Sequence, residues 1–482
     1  MLILKCYKPI LIFLLAANIP LLSQNSSDAL RLSEPGVLSN ARALGMGNAY
    51  LAVSNDYMAT RFNPAGLGRI KSTWLSGGLY VSSLSNSTTL FGDSLNASSN
   101  ATKFSNFGAV FAMPTDRGSL VFALGYHKSK EFNNVSNFSG FNPNNNSMIQ
   151  DLTDYNSDIT YNVGLSYGIF DNNDDWLYDT TNIKGRLLQS GETLVEGDIN
   201  TWSFAGAVEV SKNVFVGGSV NYNTGTYKRD REYYEDDTQN LYTEPTDPND
   251  EFTADFKTFF VQDIIDWDVS GWDAEFGFLY DFVNFISLGA TVKLPTKYTI
   301  RERFYVNADA EYRNNFSYVA DPIDSRIEYN ITTPYEISIG ASVNLLLVLV
   351  SAQIDYIDYT QMKFSGGLTP DVVGNNNKNI NDNFQPVLNY HLGAELTIPF
   401  TEIRVRAGAM YLPSPYVDDP AEFDKIYLTA GAGFVAGDAF AFDLVYSYGF
   451  WDTIGDNYGT GLSRTYQKID THSVYLTSSF KF

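Results

Sequence analysis

From about residue 74 to its last residue the chain repeats one pattern, in which apolar and polar side chains alternate with a period of two over runs of ten or more residues. In "GWDAEFGFLYDF" one face carries Trp272, Ala274, Phe276, Phe278, Tyr280 and Phe282, and the other carries Asp273, Glu275, Gly277 and Asp281. In "FAFDLVYSYGF", Phe440, Phe442, Leu444, Tyr446, Tyr448 and Phe450 stand opposite Asp443, Ser447 and Gly449. In "NYHLGAELTI", Tyr390, Leu392, Ala394, Leu396 and Ile398 stand opposite His391, Gly393 and Glu395. Successive side chains of a strand point to opposite faces, so each segment reads as an amphipathic strand. Strands of soluble sandwiches run only ~5–6 residues. Greater length, with aromatic residues at the ends, predicts strands that cross a bilayer with apolar residues outward and polar or small ones inward. After the leader no segment holds ~18 continuous apolar residues, which excludes a helical membrane protein.

Candidate strands fall near 74–84, 104–113, 119–130, 158–169, 199–211, 214–228, 270–282, 285–305, 326–345, 348–360, 386–398, 402–412, 424–436, 439–450 and 470–482. Barrels that cross a membrane use an even number of strands, with short turns on one side and longer loops on the other. Only 158–169 breaks that rhythm, so "DITYNVGLSYGI" is placed as a short helix inside one external loop, 131–198, where Val163 and Tyr167 form a helical i,i+4 pair. The expected fold is therefore all-β, an antiparallel transmembrane barrel of about fourteen strands. Long external segments are expected at 85–103, 131–198, 229–269, 306–325, 361–385, 413–423 and 451–469.

Composition supports this picture. Aromatic residues make up 15% of the chain, with 32 Tyr and 33 Phe, the supply that two membrane-interface girdles demand. The 32 Lys+Arg against 55 Asp+Glu, a formal charge of -23, argue against binding to a nucleic-acid backbone. Residues 1–24 read as a secretory signal, with Lys5 and Lys8 before an apolar run from Pro9 to Leu22. The single cysteine, Cys6, precedes that run, so the mature chain holds no disulfide and no lipid-bearing thiol. With no linker composition along the rest, the expected organisation is a signal at 1–24, an N-terminal plug at 25–70 and a barrel at 71–482.

The plug is expected because 25–70 is too apolar for a free tail and a wide barrel has a lumen to fill. Ala41, Ala43, Gly45, Gly47, Ala49 and Ala52 permit close packing, and Pro64 biases Asn63 away from helix. Several stretches together resemble the FadL/OmpP1/TodX family of outer-membrane transporters of long-chain fatty acids and hydrocarbons, in a form like that of the Bacteroidetes. They are "ARALGMGNAYLAVSND" (41–56), "NPAGL" (63–67), "GFLYDFVNFISLGATVKLPTKY" (277–298), "TPYEISIGASV" (333–343), "YHLGAEL" (390–396) and "RAGAMYLPSPY" (406–416). The chain also ends in the strand "THSVYLTSSFKF", and a terminal aromatic such as Phe482 resembles the end that the barrel assembly machinery reads in outer-membrane barrels.

The resemblance implies a fourteen-stranded barrel in the bacterial outer membrane whose lumen is closed by an N-terminal hatch. Hydrophobic cargo would be captured between external loops, reach a pocket touching the hatch, and leave sideways into outer-membrane lipid through a gap at an early strand. Such transfer is downhill by ~0.8 kcal/mol per methylene. Met46, Phe62, Asn63, Pro64 and Ala65 are the expected ligand-contacting residues of the hatch. Lys293, Arg404 and Arg406 are inward cations for a cargo carboxylate, although the inward acids Glu275, Glu336, Asp355, Glu395 and Asp443 are available to neutralise them. Family relatives that serve as shuttle or docking components in protein secretion supply a second expectation.

No catalytic, metal or cofactor site is expected. "GLSYG" (164–168) matches the nucleophile-elbow spacing around Ser166, but an elbow needs strand, sharp turn and helix with a partnered histidine, and the chain has only His127, His391 and His472. "GAGFVAG" (431–437) lies in a predicted strand with no helix after it. "DNNDDW" (171–176) opens like a calcium loop but places Trp176 where such a loop needs glycine.

Overall fold

The computed structural model describes residues 24–154, 158–282, 285–437, 439–459 and 461–482. Residues 1–23 of the expected signal, Cys6 included, lie outside the described residues. Fourteen strands close into one antiparallel barrel. They are β1 (Trp74–Leu90), β2 (Asp93–Met113), β3 (Leu120–Glu131), β4 (Leu188–Ser211), β5 (Val214–Asp236), β6 (Phe256–Phe282) and β7 (Ile286–Lys293, resuming as Lys297–Tyr312). The second half comprises β8 (Ile323–Thr332, resuming as Glu336–Leu345), β9 (Val348–Asp358), β10 (Pro386–Thr397), β11 (Ile403–Leu412), β12 (Lys425–Ala436), β13 (Phe440–Asp456) and β14 (Arg464–Lys481). Each strand pairs with the next. β14 pairs back on β1 from Trp74↔Lys481 to Thr89↔Tyr466, which leaves the wall without a free edge. As expected, 158–169 stands outside this wall; it forms a short helix, Asp158–Asn162, and one arm of a small hairpin, Tyr167–Phe170 with Trp176–Thr180.

Several strands run further than their alternation predicts. β1 and β2 continue to a turn at Phe91 and Gly92, β4 begins at Leu188, β5 ends at Asp236, and β6 begins at Phe256. The reason is visible along β6. From Phe259 to Val269 the inward residues Phe259, Val261, Ile265, Trp267 and Val269 are buried and apolar, with Asp263 among them buried against Arg229 and Arg231, while Asp266 and Asp268 face outward into water. From Trp272 onward the sense reverses: Trp272, Phe276 and Phe278 are exposed outward, and Asp273 and Glu275 point in. On β7, Ile300, Phe304 and Val306 line the interior, while Arg301 and Arg303 form outward pairs with Glu328 and Asp324 of β8, each at 2.8 Å. The wall thus has a lower half built for hydrocarbon outside and an upper half built for water outside. The upper halves of β4 to β8 enclose a large apolar core with the external segments.

The N-terminal segment occupies the interior. It forms α1 (Ser26–Ser33), α2 (Ala41–Gly45), α3 (Ala59–Phe62) and a tight 3-10 turn, Pro64–Arg69. Asn25 caps α1 reciprocally with Asp28, and the Asn40 side chain accepts from the Ala43 amide at 2.8 Å. Asn63 ties the Asn-Pro turn down: its Oδ1 accepts from the Ala65 amide, and its Nδ2 donates to Leu51 O at 3.2 Å and to Phe278 O of β6 at 3.0 Å. Further bonds reach around the ring, from the Ala41 amide to Thr477 on β14 and from the Leu51 amide to Gln353 on β9, each at 3.0 Å. At the short-turn end Arg69 pairs with Asp281 and donates to Ser287 at 2.8 Å.

Close approach is possible because the wall is bare where the segment touches it. A side chain at Gly393 or Gly408 would run into the backbone of Met46 and Gly47. Replacing either glycine by valine is expected to cost about 1–3 kcal/mol through overpacking. Gly408→Val should lower the temperature at which the barrel loses its compact gel mobility, whereas Ala409→Val on the lipid side should leave it unchanged.

Candidate functional site

Two cavities adjoin the N-terminal segment, one on each side of the stretch Glu34–Val37. The outer one, 520 Å³, is lined by Leu30 and Arg31 of α1, by rings such as Tyr227, Tyr416, Trp451 and Tyr475, and by polar residues such as Ser83 and Asn134. The inner one, 140 Å³, is bounded by Arg61, Phe62, His127, Glu275, Lys293 and Glu336. Both touch Glu34, Lys130 and Leu412.

Charge pins α1 over the outer cavity. The Arg31 guanidinium pairs with Asp28 and lies 4.4 Å from the centre of the Tyr227 ring and 5.4 Å from that of Trp267. Lys425 donates to both Glu34 carboxylate oxygens at 2.8 and 2.9 Å. Lys130 donates to Glu34 O at 2.8 Å and to Arg31 O, placing an ammonium at the carbonyl end of α1 where the helix dipole favours it. Burial pushes the Glu34 carboxyl up, but Lys425 and Lys130 outweigh it and hold the group below its ordinary range.

The wall beside this cavity is interrupted. β2 pairs with β3 only from Asn106↔His127 to Met113↔Leu120, so residues 93–105 of β2 pair with β1 alone. At the same level the β1–β2 register shifts at Gly78/Leu79 and the β3–β4 register shifts at Lys128/Lys130. Side chains bridge where the backbone ladder stops. Lys103 of β2 lies 2.9 Å from Glu131 and 3.4 Å from Asp198, and Lys128 lies 2.5 Å from Asp198. Ser99 and Ala101 of β2 and Glu131 of β3 also line the outer cavity, which therefore reaches this break.

Of the residues expected from the sequence, Phe62 and Lys293 face the inner cavity. Met46, Asn63, Pro64 and Ala65 are buried where the segment packs on the wall and line neither cavity. Arg406, 2% exposed, is held between Glu395 and Asp443, both at 2.6 Å, and Arg404 lies 3.7 Å from Glu395. The aromatic lining and the Lys103, Lys128, Asp198 and Glu131 cluster were not anticipated, because they come from strands, strand extensions and a loop that only the closed barrel brings together. Ser166 is buried and donates to Thr160 Oγ1 at 3.1 Å; it follows a helix and precedes a strand, the reverse of an elbow.

No family model and no curated protein matches the sequence. Solved structures do match its fold. The P. putida toluene transporter TodX superposes with a TM-score of 0.56 at 15% identity, covering 93% of this chain and 98% of its own. A Pseudomonas aeruginosa FadL homologue gives 0.58 at 12% identity, covering 93% and 100%. This chain has the TodX/FadL-type barrel fold. In it, as in barrels of this kind, the apolar outer belt lies in the bacterial outer membrane, with the short turns on the periplasmic side. The expectations of a fourteen-stranded wall and of that location both hold.

Two outcomes follow for the charged groups of this TodX/FadL-type barrel. Arg406→Met should destabilise it by about 3–5 kcal/mol, because Glu395 and Asp443 are left buried without a partner, whereas Arg404→Met should stay within about 1 kcal/mol; denaturant unfolding compares the two. The depressed Glu34 carboxyl contributes stability that is present above its ordinary titration near about pH 4.3 and is lost as pH falls through the lower folded value. The protection of the α1 amides, corrected for the intrinsic exchange rate, should therefore hold at neutral pH and fall only on acidification below the ordinary glutamate range.

Proposed function

We propose that the protein is an outer-membrane channel for passive uptake of hydrophobic small molecules. The observation that carries this reading is the ring-lined outer cavity, which touches the N-terminal segment on one side and the interrupted β2–β3 wall on the other. In this reading residues 25–70 are the hatch. It closes the lumen to direct passage, and cargo entering from the external loops meets α1 and the aromatic wall first. Because the lumen below is filled, the path of least resistance runs sideways through the break, which Ser99 and Ala101 line on the cavity side. The neighbours' names favour apolar cargo: one is described as a toluene transporter and a variant of it as a monoaromatic hydrocarbon channel, with TM-scores of 0.56 for both. No energy source is needed, since each methylene that leaves water contributes about 0.8 kcal/mol.

Toluene and a long-chain alkane should therefore bind the purified full barrel saturably, and uptake into cells on an apolar carbon source should depend on it. Ala101→Trp, which narrows the break, should leave binding within about threefold and cut uptake at least about tenfold, on the physical ground that a lateral path is blocked by bulk at its mouth. Binding of neither compound would remove the uptake reading, and unchanged uptake in Ala101→Trp would remove the sideways exit.

A further inference from the structure

The inner cavity differs from the outer one in kind. Four wall carboxylates, Asp273, Glu275, Glu336 and Asp355, face it together with Arg61 and Lys293. Two of the four are satisfied. Asp273 accepts from Asn221 at 2.7 Å, Asn223 at 2.6 Å and Thr296 at 3.1 Å, and Asp355 from Gln353 at 2.8 Å while pairing with His391 at 2.9 Å. Glu275 and Glu336 are not. Among the described residues neither carboxylate has a hydrogen bond, or an ion pair within 4.0 Å, although Glu275 is only 5% exposed. Across the same cavity the buried His127 leaves its Nδ1 without a partner.

A buried carboxylate without donors is costly, so these oxygens mark a place where donors are supplied from the cavity. The cations nearby do not make this a site for an anion. Arg61 and Lys130 already donate to backbone carbonyls of the hatch, Arg61 to Gly36 and Lys130 to Arg31 and Glu34, and Lys293 stands in register between Glu275 and Glu336 on the adjoining strands. The lining carboxylates, with Glu34, outnumber Arg61, Lys130 and Lys293. A second carboxylate would meet like charge on most sides.

We propose that the inner cavity takes the polar head of an amphiphile whose apolar tail occupies the outer cavity, and that this head is a hydrogen-bond donor without negative charge, a primary amine or alcohol. This rests on the uptake reading above and narrows its cargo. Both cavities are lined by Glu34–Val37, Lys130 and Leu412, and in this reading one molecule passes beside that stretch, with 140 Å³ for the head and 520 Å³ for the tail.

The test uses the full barrel in nanodiscs of zwitterionic lipid, with empty discs subtracted. Dodecylamine, dodecanol, dodecanoate and dodecane are titrated at neutral pH by calorimetry. Amine and alcohol are expected to bind at least tenfold tighter than dodecanoate. In the isosteric double variant Glu275→Gln, Glu336→Gln the advantage of the amine should fall at least tenfold while dodecane binding is unchanged, and compact gel mobility checks that the variant is folded. Dodecanoate binding as tightly as the amine in the native barrel would overturn the proposal without touching the uptake reading, and so would an amine advantage that survives in the folded double variant. If none of the four binds, the uptake reading fails and the proposal fails with it.

Discussion

The structure turns on the level at which the medium outside the wall changes from water to hydrocarbon. On β6 that level falls at Gly271–Trp272, where the buried apolar face gives way to an exposed one within a single pleat. Above it the wall folds like a soluble protein, with an oily interior and an outer face of pairs such as Arg303–Asp324. Below it the wall is inside out, because lipid accepts Phe276 and Phe278 and rejects Glu275. A lower lumen lined with acids, amides and hydroxyls follows from that change, and so does the need to satisfy them.

The N-terminal segment answers much of that need. It brings small residues and its own polar backbone to a wall of matching character: the Asn63 amide meets a β6 carbonyl, the Leu51 amide meets Gln353, and His391 meets the carbonyl of Gly47. Hydrogen bonds of this kind contribute modestly to stability one by one, but leaving either partner bare is expensive, so together they fix where the segment sits. The buried Arg406 with Glu395 and Asp443 acts in the same way. Such a triad adds little over a well-packed apolar substitute and specifies one arrangement through its geometry. The two cavities remain where this filling stops, one below the apolar upper core and one among polar groups left over.

The lipid-facing half of each strand was legible in the sequence, because alternation there reports a lipid face and a lumen face at once. Trp272 to Phe282 and Tyr390 to Ile398 are examples, and the even strand count placed 158–169 outside the wall despite its local pattern. The upper extensions were hidden for the same reason. In "REYYEDD" the buried Tyr233 and the buried Glu235 share the inward face, so apolar and polar residues no longer sort by parity. The break between β2 and β3 left no signal, since residues 93–105 keep one good ladder to β1 and differ only in what is missing on the other side. The N-terminal residues were placed in the lumen as a block, yet parity says nothing about which of them face a cavity. Phe62 does and Met46 does not, which depends on a three-dimensional path through the lumen.

The route of that path has a consequence for how the molecule is made. Ala41, in the part of the chain synthesised first, bonds to Thr477 in the strand synthesised last, and Gly45 sits against Val445 while Asn63 holds Phe278. Contacts of such sequence separation form late. The segment's seat is complete only when β14 has met β1, because Thr477 and Val445 lie on the last two strands of the ring. Filling the cylinder is therefore finished only as it closes, and the two belong to one late stage of assembly.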